Sequence, residues 1–268
     1  MASTPRPDHD DVRYVGATRV SGRSELTTDR SLLDTVEQSD EARKQNRLQR
    51  DPWRVLRIQS EFVAGFEALT DVSRAVTVFG SARSAPDSAE YRLGVELGAA
   101  LADAGYAVIT GGGPGLMEAT NRGAHEAGGQ SIGLGIELPV ENSLNDWVDL
   151  GINFRYFFAR KTMFVKYAQA FVCLPGGFGS LDELFEALTL VQTRKVTRFP
   201  IVLLGSDFWA GLIDWMRDRL AGTGKIASTD LDLLHVTDSV AETLRIITAT
   251  GRSAVPPSGI ADESETAR

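Results

Sequence analysis

The sequence predicts an α/β protein: a doubly wound parallel sheet forming a single domain, with an extra N-terminal amphipathic helix. Three observations predict it. Short apolar runs recur from Arg74 onward, several of them end directly in glycine, and helical patterns of 10–17 residues separate them. Strands alternating with helices of that length imply βαβ units and a sheet covered on both faces. No internal repeat is present.

Residues 1–30 mix Pro, Asp, Arg, Ser and Thr without periodicity and are expected to be a disordered tail. Residues 31–73 form a helical extension. A polar helix is predicted between Ser31 and Asn46, and Asp51-Pro52 reads as an N-cap followed by proline at the first helical position. Trp53, Val55, Ile58, Phe62, Phe66 and Leu69 then follow at helical spacing, giving an apolar face that needs a surface to cover. The main domain spans 74–251. Ala75 to Phe79 reads as a strand ending at Gly80-Ser81, and 88–104 as a helix stopped by Gly105. Tyr106 to Thr110 is a second strand, closed by the glycine run 111–115, with a helix following through Ala127. Ser131 to Ile136 is a third strand, and Asn153 to Tyr156 a short one. A helix from Phe157 to Tyr167, a strand from Ala168 to Cys173 and a helix from Leu181 come next. The strand 201–204 and helices 208–220 and 240–248 complete the domain, and 252–268 reads as a second disordered tail.

Composition excludes some classes of function. The chain has 268 residues, 43% hydrophobic and 24% charged, and a net charge of −8 that argues against a nucleic-acid or membrane surface. No apolar run reaches the roughly 20 residues of a membrane helix. The first 30 residues lack the apolar stretch of a secretory signal. The single cysteine, Cys173, sits among apolar neighbours and reads as a buried thiol in a reducing, cytoplasmic setting. His9, His125 and His235 are far apart and carry no metal-ligand spacing, so no metal is expected.

Open parallel sheets bind ligands beyond the carboxyl ends of their strands. Three glycine-bearing turns fall there: Gly80-Ser81, Gly111 to Gly115 with Gly112 and Gly113 at its centre, and Gly176 to Ser180. Each could equally be a tight connection between strand and helix. The third, Leu174-Pro175-Gly176-Gly177-Phe178-Gly179-Ser180-Leu181-Asp182-Glu183, carries most information. Glycines between a strand and a helix present backbone N–H groups at the helix N-terminus, where an anion such as phosphate is favoured. Glu183 stands one turn into that helix, an acid beside an anion site. A P-loop is excluded because no turn has lysine followed by Ser or Thr inside its glycine frame. The dinucleotide fingerprint is excluded because Leu116 occupies the position of its last glycine. Arg160 and Phe164 are four apart and share a helix face, so the Arg160-Lys161 pair either points inward or is exposed.

The segment Phe157-Phe158-Ala159-Arg160-Lys161-Thr162-Met163, followed by Pro175-Gly176-Gly177-Phe178-Gly179-Ser180-Leu181-Asp182-Glu183, resembles the LONELY GUY (LOG) family, marked by an Arg-Lys helix and a PGGxGTxxE turn. Gly111 to Ala119 and Gly80-Ser81-Ala82-Arg83 fit the same family, and the resemblance covers roughly residues 74–222. Ser180 replaces the motif's threonine and keeps its hydroxyl; the helix before residue 74 resembles the longer bacterial branch. The resemblance implies a Rossmann-like fold and hydrolysis of the N-glycosidic bond of a nucleoside 5′-monophosphate, with a cytokinin riboside 5′-monophosphate or AMP as substrate. It implies no cofactor; the lysine decarboxylase label often given to such proteins finds no support in a pyridoxal phosphate motif. It also implies that Lys161 and Thr189 line the substrate site, and that the active site lies near a homodimer interface. The chemistry of the residues agrees. Breaking a ribosyl C–N bond builds cationic charge on the sugar. Glu183 could stabilise that charge and activate water, while Arg160 could clamp an oxygen or assist the departing base. The alternatives are a general purine monophosphate nucleosidase without a hormone role, or a non-catalytic carrier of a nucleotide-like cofactor.

Overall fold

A computed structural model describes residues 12–15, 18–21, 40–137, 144–196 and 199–251. Strands β1 (Val12–Val15) and β2 (Thr18–Ser21) form a small antiparallel ladder within the segment expected to lack structure. The expected tail at 252–268 lies outside the described residues. Helix α1 (Asp40–Ala68) runs without a break through Asp51-Pro52, so the N-cap expected there is corrected. Proline inside a helix removes one i→i−4 bond. Packing of the half of α1 that follows, where Glu61 is buried and Ile58 and Phe62 lie on the core, provides the compensation.

The main sheet has seven strands in the order β6-β5-β4-β3-β7-β8-β9, every pairing parallel. They are β3 (Ala75–Phe79), β4 (Ala107–Thr110), β5 (Ser131–Ile136), β6 (Leu150–Phe154), β7 (Ala168–Cys173), β8 (Ile201–Leu204) and β9 (Leu234–Thr237). Between them lie α2 (Ala89–Asp103), α3 (Leu116–Glu126), α4 (Phe157–Tyr167), α5 (Phe178–Gln192) and α6 (Ser206–Trp215), and α7 (Val240–Gly251) closes the chain. β3, β4, β5 and β8 are buried along their whole length. Their unbroken apolar runs follow from cover on both faces. Because successive side chains point to opposite faces, Val76 and Val78 meet Leu97, Leu101, Leu116 and Ile247 on one side. Phe79 points the other way into a cluster with Phe164, Phe171 and Leu184, its ring edge-on to Phe164 and Phe171 at 5.2 and 5.4 Å.

The chain winds outward from β3 through β4 and β5 to β6, then returns to place β7 on the other flank of β3. The direction of winding reverses between β3 and β7, and there the loops diverge and leave a crevice. Three expectations shift. β6 ends at Phe154 rather than Tyr156, because Arg155 and Tyr156 turn their N–H groups to Glu61 of α1. α5 starts at Phe178, earlier than Leu181, leaving only Pro175-Gly176-Gly177 as the turn. α6 widens into a π-helical turn at Met216–Ala221 rather than continuing as an α-helix. The edge strand β9 was not expected; its four mixed residues, Leu-His-Val-Thr, carry little pattern.

Helices α2 and α3 touch backbone to backbone. A Cβ on Gly98 would lie 2.1 Å from the Thr120 carbonyl oxygen, and one on Gly123 2.0 Å from that of Val95. Gly98→Ala is therefore expected to destabilise the protein by about 1–3 kcal/mol, seen as a lower urea midpoint with an unchanged slope. An unaltered midpoint would show that the two helices can separate without penalty.

Candidate active site

The three glycine-bearing turns are joined at the reversal point. Ser81 N–H donates to the Pro175 carbonyl at 3.0 Å, and Leu116 N–H donates to the Ser81 carbonyl at 2.8 Å. Gly115, at φ 68°, admits no side chain, since a Cβ would stand 2.4 Å from the Ser81 oxygen. The turn after β4 is tied down by a buried polar network. Thr110 Oγ1 donates to Asn121 Oδ1 at 2.6 Å, and Asn121 Nδ2 donates to Ser131 Oγ at 2.8 Å. Asn145 Nδ2 donates to Asn121 Oδ1 and to the Gly113 carbonyl. Gly112 N–H donates to Thr110 Oγ1 at 2.9 Å, so Gly112 shapes the crevice while its amide is already engaged. Asn121 and Asn145 were missed by sequence reasoning. The available signal was a polar residue on the otherwise apolar face of α3 between Ala119 and Ala124.

At the turn after β7, α5 makes its first helical bond from Leu181 N–H to the Gly177 carbonyl. The N–H groups of Phe178, Gly179 and Ser180 therefore precede the hydrogen-bond ladder. Gly177, as N-cap, brings no side chain to occupy them. A Cβ on Gly177 or Gly179 would meet nothing, so this side of the turn is open. On the other side Ser180, buried, sets its hydroxyl against Gly176, where a Cβ would be only 2.2 Å from Oγ. The turn thus presents three helix N-terminal N–H groups on an open side, rimmed by Phe178 at 92% exposure, the kind of place that favours an anion.

Glu183 is only 6% exposed. Burial pushes its carboxyl up to about 7 from the usual 4.5, with Glu186 and Asp182 adding to the effect; the charges of Lys161 and Arg160 partly offset it. Both cations come from α4. Lys161 Nζ stands 2.8 Å from Asp182 Oδ2, 2.7 Å from Glu186 Oε2 and 3.8 Å from Glu183 Oε2. Burial works against the Lys161 charge, yet these carboxylates hold its ammonium above the ordinary lysine range. Asp182 itself lies at the surface, so the lysine bridges an exposed and a buried acid.

Arg160 is half-buried, its guanidinium 4.9 Å from the Phe157 ring centre and 5.3 Å from that of Phe164. The shared face of Arg160 and Phe164 is therefore real, and the exposed-pair reading fails. One guanidinium nitrogen reaches within 3.9 Å of the Cβ position of Gly111. Arg160 thus links the glycine turn after β4 to the acid on α5.

Thr189 follows Glu186 by one turn and Asp182 by two on the same face of α5, exposed and with its hydroxyl donating to the Phe185 carbonyl. Cys173 is fully buried behind the site, and burial, with Glu183 adding to it, pushes its thiol up to about 12. A thiol so far from ionising at neutral pH is no nucleophile. Among the described residues no group of His, Cys, Asp and Glu could hold a metal ion, and no helix is long and apolar enough to cross a membrane.

Comparison with known proteins adds four findings. A family model described as possible lysine decarboxylase matches residues 117–247. A cytokinin riboside 5′-monophosphate phosphoribohydrolase from Mycobacterium tuberculosis is 34% identical over 184 residues, covering 66% of this chain and 96% of that one. Its namesake from Mycobacterium marinum is 31% identical over 151 residues, or 56% and 80% of the two chains. Among solved structures, the molybdenum cofactor carrier protein of Chlamydomonas reinhardtii superposes with a TM-score of 0.52 at 25% identity, covering 67% of this chain and 99% of its own.

The raised carboxyl of Glu183 has a measurable effect on stability. Between pH 4.5 and about 7 the folded chain keeps a proton that the unfolded chain has lost. Stability therefore falls as pH rises through that window and stays lower above it. Glu183→Gln is expected to be more stable than the natural protein by about 3 kcal/mol at pH 8, with the difference vanishing below pH 4.5. Parallel urea titrations at the two pH values check this; equal differences at both would mean that the carboxyl titrates normally.

Proposed function

The chain belongs to the LONELY GUY family, and from that premise we propose that it hydrolyses the N-glycosidic bond of a nucleoside 5′-monophosphate to free base and ribose 5-phosphate. The single observation that carries this reading is the buried carboxylate of Glu183 on the same helix as an open anion cradle and faced by Arg160. The phosphate rests on the N–H groups of Phe178, Gly179 and Ser180, which orient the nucleotide without reacting. This places the sugar over Glu183. As the C1′–N bond breaks, cationic charge grows on the ribose and the nearby carboxylate stabilises it. Water forms the new C1′–O bond and yields a proton to Glu183, while the departing base takes up a proton. A carboxyl poised near neutrality suits that exchange. Arg160 supplies a charge-assisted hydrogen bond to the base or a sugar oxygen, a contact of roughly 1.5–3 kcal/mol.

Lys161 acts on the acid rather than as a reacting amine. A pyridoxal phosphate lysine must lose its proton to form a Schiff base, whereas Lys161 is held charged by three carboxylates. The names of the mycobacterial relatives favour a cytokinin riboside 5′-monophosphate as substrate, with AMP as the simpler member of the same class. A cytoplasmic setting suits the single, buried cysteine. Exposed Trp53, Leu56 and Val63 on α1, and Phe157, Phe158 and Phe178 at the site mouth, leave apolar surface that a second copy in a homodimer would cover. A carrier role, favoured by the name of the solved neighbour from Chlamydomonas reinhardtii, is the second reading.

Incubation with AMP and its N6-isopentenyl form, following free base and ribose 5-phosphate, separates these readings. Release of base is expected from at least one. Glu183→Gln should bind nucleotide with KM within about threefold and lose about 10²–10³ in kcat. Arg160→Ala should impair both constants. Undiminished turnover in Glu183→Gln would remove that residue from the chemistry, and tight nucleotide binding without base release would establish the carrier reading.

A further inference from the structure

Helix α1 belongs to none of the βα units, yet its last turns meet the cationic helix α4 at its start, middle and end. At the start of α4, Glu61 Oε1 accepts the Arg155 N–H at 2.9 Å, and Oε2 accepts the N–H groups of Arg155 and Tyr156 at 3.1 and 3.3 Å. The Arg155 guanidinium adds an ion pair at 3.6 Å. Midway, Gly65 lies against Met163 so closely that a Cβ would stand 2.8 Å from the Met163 methyl. At the far end the Tyr167 hydroxyl donates to the Phe66 carbonyl at 3.3 Å.

A carboxylate only 7% exposed needs compensation for its lost hydration. Glu61 finds it in two backbone N–H groups and in the positive end of the α4 dipole. α4 in turn lacks a cap of its own, since its N-cap residue Tyr156 offers no side-chain hydrogen bond. The connection continues inward. The Tyr156 carbonyl accepts the N–H groups of Ala159 and Arg160 at 3.2 and 3.3 Å. Glu61 therefore holds the N–H of Tyr156, and the backbone of Arg160 hangs from the carbonyl of the same residue.

We propose that Glu61 is a positioning residue: a helix cap supplied from the N-terminal extension that fixes the start of α4 and so aims Arg160 and Lys161 at Glu183. This gives α1 a task in the site itself. The catalytic consequence rests on the hydrolase reading above; the mechanical one does not.

The test uses the full chain with Glu61→Ala, the near-isosteric Glu61→Gln and Arg160→Ala. Hydrogen exchange followed by mass spectrometry reads the mechanics. In Glu61→Ala, amides of 155–161 should exchange at least about tenfold faster while those of β3 and β7 keep their rates. Glu61→Gln, which retains an acceptor oxygen, should fall between, and it carries the test should the alanine variant fail to fold. Kinetics with AMP read the consequence: Glu61→Ala should lose about ten- to hundredfold in kcat/KM. Adding it to Arg160→Ala should slow the enzyme by less than the product of the two single effects. Uniformly faster exchange across the sheet, unchanged exchange at 155–161, or fully multiplicative kinetic losses would each overturn the proposal. Should the natural protein release no base from any nucleotide, the hydrolase reading fails while the exchange experiment still decides the role of Glu61.

Discussion

A carboxylate withdrawn from water between two cations is the constraint on which the rest of this molecule depends. Glu183 on α5 can be buried at tolerable free energy only because α4 brings Lys161 and Arg160 alongside. An unpaired charge at that depth would oppose folding by several kcal/mol. The pairing remains incomplete, and that incompleteness leaves the acid able to exchange a proton near neutrality. A fully satisfied salt bridge would hold the carboxylate ionised and less basic. Lys161 avoids this by dividing its attention among three acids, with the nearest contacts going to Asp182 and Glu186.

The sheet supplies the geometry. Reversal of strand order between β3 and β7 sets the Gly80 and Gly176 turns side by side, and backbone hydrogen bonds through Ser81 lock them to the turn after β4. Cover on both faces packs β3 tightly along its whole length, which fixes the strand end from which the Gly80 turn springs. The buried Thr110-Asn121-Ser131 network extends that rigidity to the glycine run, whose backbone would otherwise be the loosest part of the site.

Much of this was legible in the sequence because the local signals agreed with the global fold. β3, β5, α4, β7 and β8 fall at the residues their apolar runs and glycine stops indicate. The acid and the anion turn were visible because they are adjacent in sequence. What stayed hidden was whatever depended on residues distant in sequence. The inward course of Arg160 needed Phe164 and Gly111 to be seen together. Glu186 and Asn121 looked like ordinary helix residues until the neighbours they bind were in place. Asp51-Pro52 has the local chemistry of a helix start, but α1 runs through it. The resemblance grouped Thr189 with the site, and within one chain its hydroxyl is engaged by the Phe185 carbonyl.

The early start of α5 has a geometric consequence. Because Phe178, Gly179 and Ser180 already belong to the helix that bears Glu183, the cradle and the acid sit on one stiff rod, and the rise from Gly179 to Glu183 is about 6 Å. That rod serves as a ruler. Under the function proposed above it would select for the position of the phosphate on the sugar: a 3′-monophosphate would seat its anion and present the wrong carbon to the carboxylate.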